Sequence, residues 1–194
     1  MAISSKGGDP PRVEDQDLVS AALAGDRQAC GALYDRYAPL IRAICFDRTG
    51  DVSQSEDLCQ DVFLKAHEKL AQLRDRRKFG AWLIAITRLT CRDWLRRSRR
   101  RNLRRADVDL ALVPQDDPDE AGCNDGLAQL HEWLLRLPDK ERLAIQVCCL
   151  LEEPPERARG ILNLSRSGLY AVLERAKKRL KRLATASGRM ISHE

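Results

Sequence analysis

No stretch of this sequence strings together the roughly 20 apolar residues that a membrane-crossing helix requires. The opening residues, Met1 to Pro10, lack the apolar core of a secretory signal. These two absences lead us to expect a cytoplasmic protein. Histidine is scarce, with only His67, His131 and His193, and the cysteines never stand as C-x-x-C. Zinc-ribbon and zinc-finger spacings are thereby excluded. The sequence also lacks the phosphate loop G-x-x-x-x-G-K-[ST], the nucleophile elbow G-x-S-x-G and a paired carboxylate with a placed histidine. The expectation is a protein that is not an enzyme and that carries no metal and no cofactor.

β-branched residues are the next shortage. There are 8 Val and 8 Ile against 28 Leu. Leucine keeps its rotamer freedom in a helix, whereas Val and Ile suit strands, so the chain is expected to be all-α. Hydrophobic residues make up 43% and charged residues 32%, which excludes a disordered chain. Arginine outnumbers lysine 26 to 8. Arginine suits phosphates and base edges, but an Arg-rich codon usage gives the same ratio, so position carries more weight than number.

The seven cysteines are Cys30, Cys45, Cys59, Cys91, Cys123, Cys148 and Cys149. Most fall within helical patterns, where cysteine packs as a small apolar residue. Packing is therefore the expected role, with a thiol redox switch as the alternative.

Along the chain, residues 1–13 read as a disordered N-terminus. A short helix is predicted from Asp15 to Ala24, stopped by Gly25, and Asp26 is a fitting N-cap for the next. That helix carries Ala29, Leu33, Tyr37, Leu40, Ile41 and Ile44 at helical spacing, with Pro39 as a point of kinking. Ser53-Gln54-Ser55-Glu56 matches a capping box and opens a third helix. A basic connector, Arg74 to Lys78, leads to a fourth helix from Phe79 to about Arg101.

Charge is then zoned. Arg88 to Arg105 holds nine Arg and one Asp, and Asp107 to Asp125 holds seven acids and no base. The acidic stretch contains Pro114, Pro118 and Gly122 and reads as a flexible linker over residues 106–124. The expected architecture is two small helical domains, 14–105 and 125–185, followed by a tail at 186–194. In the second, a helix at Leu127–Leu135 precedes one that restarts at Leu137-Pro138-Asp139. Pro154-Pro155 leads a short helix to Leu162, Asn163 supplies a tight turn, and Ser165 caps a last long helix. Short helix, turn and longer helix outline a helix-turn-helix, and Arg175 to Arg182 carries six bases in eight residues. An aromatic start and an Arg-dense end suit the fourth helix to duplex DNA that must be opened. Trp82, Trp94 and Phe63 equally suit core positions.

Three segments carry a family resemblance. They are Ser55-Glu56-Asp57-Leu58-Cys59-Gln60-Asp61-Val62-Phe63-Leu64-Lys65-Ala66, then Phe79-Gly80-Ala81-Trp82-Leu83-Ile84-Ala85-Ile86-Thr87-Arg88 with Asp93-Trp94-Leu95-Arg96-Arg97, and Leu137-Pro138 with Arg175-Ala176. Together they resemble the extracytoplasmic-function (ECF) subfamily of bacterial RNA polymerase sigma factors, over about residues 15–183. The resemblance implies three partners: core RNA polymerase, promoter DNA and an anti-sigma factor. It implies that Asp57, Gln60, Asp61, Phe63 and Lys65 contact the polymerase. It sets Trp82, Arg88, Arg92, Trp94, Arg96 and Arg97 near the minus-ten element, and Ser165, Arg166, Ser167, Tyr170, Arg175 and Lys178 near the minus-thirty-five element.

Departures from the family pattern are Leu89 in place of a frequent Asn, and Pro154 to Gly160 in place of a Ser-Tyr-acidic-acidic-Ile-Ala pattern. Gly168, Tyr170, Ala171 and Val172 likewise replace Thr, Lys, Ser and Arg. Leu89 implies altered polar readout of a flipped base, and the other departures imply weaker or unusual minus-thirty-five recognition. The reading from another class is a stand-alone helix-turn-helix regulator that needs no polymerase.

Overall fold

The structure, a computed structural model, describes residues 13–106, 125–151 and 155–191. Most of the expected disordered N-terminus, nearly all of the acidic linker and Cys123 lie outside these residues. Eight α-helices and no strand are present among the described residues: α1 (Asp15–Leu23), α2 (Arg27–Thr49), α3 (Val52–Lys69), α4 (Phe79–Ala106), α5 (Asp125–Leu135), α6 (Asp139–Leu150), α7 (Pro155–Leu162) and α8 (Arg166–Ile191). The all-α expectation holds.

Local chemistry explains most boundaries. The Asp26 carboxylate accepts from the backbone N–H groups of Gln28 and Ala29 at 2.8 and 3.3 Å, which fixes the start of α2. Gly50 ends that helix in the left-handed conformation, φ 68°, where a side chain would be strained. Pro39 stays within α2 on an exposed position, where water can serve the carbonyl it leaves unpaired. Asn163 takes φ 52°, as expected for the turn between α7 and α8.

Three boundaries differ from expectation. The capping-box reading placed the start of α3 at Ser53. Instead Asp51 caps it, accepting from the Gln54 N–H at 2.6 Å, and the Ser55 hydroxyl turns inward to the Val52 carbonyl. An acidic side chain two residues earlier meets the orphan donors of the first turn and leaves Ser55 free to pack. A 3-10 turn, Leu70–Gln72, follows α3, and the basic connector holds a second, Arg76–Lys78, capped by Asp75. The last helix runs on through Ile191, so most of the expected tail is helical.

The core begins with α2. Leu33, Tyr37, Leu40, Ile41 and Cys45 face inward against Val19 of α1, Leu58 and Val62 of α3, and Leu83 of α4. The same cluster continues into Val147, Leu151, Ala158 and Leu169. The second group of helices therefore shares a core with the first, where a linked pair of separate units was expected.

Polar contacts reinforce the joint. Asp15, buried at the start of α1, accepts from the Tyr37 hydroxyl at 2.6 Å and pairs with Arg36 of α2. Arg157 of α7 reaches the same carboxylate at 3.2 Å. Within the second group, the buried Glu141 of α6 pairs with Arg179 of α8 at 3.0 Å. Among the described side chains of α8, the fully buried ones are Leu169, Val172 and Ala176, all near its start.

At Gly80, α4 approaches Tyr37 and Ile161 closely. A methyl group there would lie 2.8 Å from the Tyr37 hydroxyl and 3.0 Å from the Ile161 side chain. Gly80→Ala should therefore overpack the contact and cost about 1–3 kcal/mol, measured by urea unfolding, despite the higher helix propensity of alanine.

Candidate functional site

Three surfaces gather the residues singled out in the sequence. The first is the outer face of α3. Its inward side consists of Leu58, Cys59, Val62 and Ala66, which turns Asp57, Gln60 and Asp61 to solvent. Spacings of three, four and seven residues put Leu64 on the same stripe, 64% exposed. The sequence reading did not assign Leu64, although its periodicity gives the position away. Beside the stripe runs an apolar groove of about 460 Å³, lined in part by Tyr34, Gln60, Phe63, Leu64 and Leu70. Phe63 is half-buried, its ring 4.6 Å from that of Tyr34, so it serves the core and the groove wall together. Lys65 instead turns back to α4, donating to the Thr90 hydroxyl at 3.3 Å.

The second surface is α4. Phe79, Leu83, Ile84, Ile86, Thr87, Thr90 and Cys91 form its inward side, and Cys91 is the last fully buried residue along the described part of the helix. Beyond that residue the helix projects. Arg88, Arg92 and Arg96 follow one another at four-residue spacing along its exposed side, with Arg97 beside them. Arg96 pairs only loosely with Asp93, at 3.9 Å. Trp82 and Trp94 are both half-buried against the core, and Trp82 packs on Phe79 with ring centroids 5.9 Å apart. Leu89 is half exposed among the arginines.

The third surface belongs to α8. The Ser165 hydroxyl accepts from the Gly168 N–H at 3.1 Å, so this serine caps the helix as expected. A side chain at 168 would crowd that hydroxyl at 2.9 Å, which explains the glycine there. Arg166, Ser167, Tyr170 and Lys178 are exposed. Val172 is turned into the core, so the hydrophobic residue at this position packs and reads nothing. Arg175 is exposed and lies 3.9 Å from Glu141. Lys178, Lys181 and Arg182 share a shallow depression farther along the helix.

A network that sequence reasoning missed lies between the first and second groups of helices. Asp47, at the end of α2, accepts from Arg142 Nε at 2.8 Å and from Gln146 Nε2 at 3.1 Å. His131 Nδ1 stands 4.0 Å away, its ring against Phe46 at 4.6 Å. Arg48 reaches Asp139 at 3.1 Å, and Arg142 reaches the same residue at 2.8 Å. Nothing in the local sequence pairs residues some hundred positions apart. Above the network opens a cleft of about 540 Å³, where Arg48, Arg88, Arg92 and Lys140 stand over Cys91. No helix among the described residues is long and apolar enough to cross a membrane, and no cluster of metal-ligating side chains occurs among them.

Comparison with known proteins fits this arrangement. The sigma-70 region 2 family matches residues 33–101, the stretch that runs from α2 through α3 into α4. The ECF RNA polymerase sigma factor SigL of Mycobacterium tuberculosis is 30% identical over 129 residues, covering 66% of this chain and 73% of SigL. The probable RNA polymerase sigma factor RfaY of Xanthomonas campestris is 37% identical over 143 residues, covering 74% of this chain. The match takes in about a third of the length of RfaY, and of the sigma factor BldN of Streptomyces coelicolor.

Two solved structures share the fold. CnrH in complex with the cytosolic domain of CnrY has a TM-score of 0.62 at 22% identity, covering 89% of this chain and 97% of CnrH. The sigma factor RpoE of Bartonella quintana, in complex with the anti-sigma factor NepR, has a TM-score of 0.51 at 24% identity, covering 78% and 94%. The chain belongs to the ECF subfamily of RNA polymerase sigma factors.

Burial pushes the Asp47 carboxyl above its ordinary range, against the opposing pull of Arg142, Gln146, His131 and Arg48. A carboxyl raised by folding takes up its proton more readily in the folded chain than in the unfolded one. The stability it contributes is full below the unfolded value, about 4, and is lost as pH rises through the folded value. Measured by urea unfolding from about pH 4 to 7, the wild type should therefore lose stability relative to Asp47→Asn as pH rises.

Proposed function

We propose that this chain directs core RNA polymerase to promoters, and that the polymerase supplies all the chemistry. The observation that carries this reading is the division of labour between adjacent helices. One exposed stripe on α3, with Asp57, Gln60, Asp61 and Leu64, borders an apolar groove suited to a protein partner. The neighbouring α4 bears Arg88, Arg92, Arg96 and Arg97 on a projecting, solvent-facing side suited to phosphates. In this assignment residues 14–105 bind polymerase and the minus-ten element, and residues 106–124 link them to a helix-turn-helix unit at 125–185. Trp82 and Trp94 flank the melted strand. Arg166, Ser167, Tyr170 and Lys178 meet the minus-thirty-five major groove, with Ser165 setting the start of the recognition helix. Lys65 and Phe63 act on the polymerase contact by holding α3 in place.

Arg88 and Arg92 also border the cleft they share with Lys140 of α6, so a duplex following the arginine row into that cleft needs α6 to give way. That need favours a companion role for the second unit, as a docking surface for an anti-sigma factor that holds the chain closed. Transcription from genomic promoters, compared between the full chain and one ending near Ala121, separates the two roles. An unchanged output makes the DNA role of the second unit minor.

Reconstitution with core polymerase and run-off transcription tests the main proposal, and failure of the pair to associate in a pull-down overturns it. Gln60→Ala should weaken polymerase binding about tenfold, or ~1.4 kcal/mol, with an unchanged circular dichroism spectrum. Replacing Arg96 and Arg97 with alanine should lower promoter affinity broadly. The slope of log affinity against log salt should then fall by about 1.5–2, since each duplex phosphate contact contributes about 0.9.

A further inference from the structure

The turn of α4 that carries Arg88 and Arg92 also carries Cys91, and the sequence distance between Cys91 and Cys45 is closed by the fold. The two sulfurs lie 3.9 Å apart, one on α2 and the other on α4. Cys45 is fully enclosed, whereas Cys91 lines the cleft beneath Arg48, Arg88 and Arg92. A small oxidant entering this cleft meets one sulfur first, with a second directly behind it. Guanidinium groups around the mouth favour a thiolate on the sulfur they face. We propose that Cys91 and Cys45 form a peroxide-reactive dithiol, with Cys91 as the attacking thiol and Cys45 as the resolving one.

The chemistry closes without any further reactant. The Cys91 thiolate attacks one peroxide oxygen, the O–O bond breaks, and Cys91 becomes a sulfenic acid as hydroxide leaves. The Cys45 sulfur then attacks the Cys91 sulfur. The S–O bond breaks, the hydroxyl leaves as water with the Cys45 proton, and a disulfide remains. Two thiols lose two electrons and two protons in all, and hydrogen peroxide becomes two waters.

The local environments suit these roles. Cys45 beside it and the charge of Arg48 hold the Cys91 thiol below its ordinary value, while contact with Cys91 and burial push Cys45 up. Cys59, buried nearby on α3, is pushed up to about 11 by desolvation and stays a thiol at neutral pH. Cys149 is the exposed cysteine among those described, so it is the natural competitor in any oxidation experiment.

The sulfurs are in van der Waals contact rather than bonded, so closing the bond draws the Cys91 turn of α4 toward α2. The arginines on either side of Cys91 move with it, which couples the oxidation state of the pair to the arginine row.

The test uses the full wild-type chain, reduced and then exposed to hydrogen peroxide at neutral pH. Intact mass should fall by two hydrogens in a monomer, and peptide mapping should find Cys45 joined to Cys91. In Cys45→Ala, where resolution is impossible, a sulfenic-acid trap such as dimedone should label Cys91. Three results would overturn the proposal: cross-links formed only through Cys148 or Cys149, cross-links between chains, or Cys45 and Cys91 both still free for alkylation after the treated chain is unfolded. The wild-type measurement decides the matter even if the variant folds poorly.

Discussion

Asp47 and Arg142 lie 2.8 Å apart with less than a tenth of either side chain exposed. That contact fixes how α6 meets the end of α2. A buried pair of this kind adds little net stability, because taking two charges out of water consumes most of their attraction. It does enforce register. An unpaired charge in that place would be costly, so α6 must present Arg142 opposite the end of α2 and nowhere else. Gln146, Asp139 and the Leu135 carbonyl meet further hydrogen-bonding directions around the pair, and His131 stands 4.0 Å away. The apolar contacts through Val147, Leu151 and Ala158 supply the attraction, and the ion pair selects the geometry.

α4 reconciles two demands that usually fall on separate helices. Its first half is core, with Leu83, Ile84 and Thr87 enclosed on one side. Its second half, residues 93–106, is half arginine, a residue that is not buried without partners. The change from packed to projecting occurs within one turn, at Thr90 and Cys91. A helix is stiff over this distance, so the packed half fixes where the charged half points. The orientation of the arginine row is therefore a property of the core, set by Gly80, Tyr37 and the thiol pair.

Much of this was legible in the sequence, for reasons that differ by residue. Leu33, Tyr37 and Ile41 declare themselves by helical spacing, Asp26 and Asn163 by local backbone chemistry, and the arginine run by composition alone. The family motifs in α3 and α4 could be read because short-range order places them on single helices. Asp51 was missed because the Ser53 to Glu56 motif competes with it for the same backbone donors. The Asp47 network and the Cys45–Cys91 pair escaped for a deeper reason. Each joins residues far apart in the chain, and no local rule specifies which helix end meets which. Val172 was read as a departure from the family pattern, and its burial makes it a packing residue. The family pattern marks the position, and only the fold says which way it faces.

α8 has a mechanical consequence. It spans Arg166 to Ile191, 26 residues, or about 39 Å at 1.5 Å per residue. Its buried anchors, Leu169, Val172 and Ala176, all lie in the first three turns. From Lys177 to Ala186 no side chain is fully buried, which makes this stretch a stiff arm with its fulcrum at one end. A tilt of about 10° at the anchors carries the far end roughly 4 Å, close to the rise of three residues. Small adjustments in how α6 and α7 grip those anchors are thus amplified along a rod of lysine and arginine.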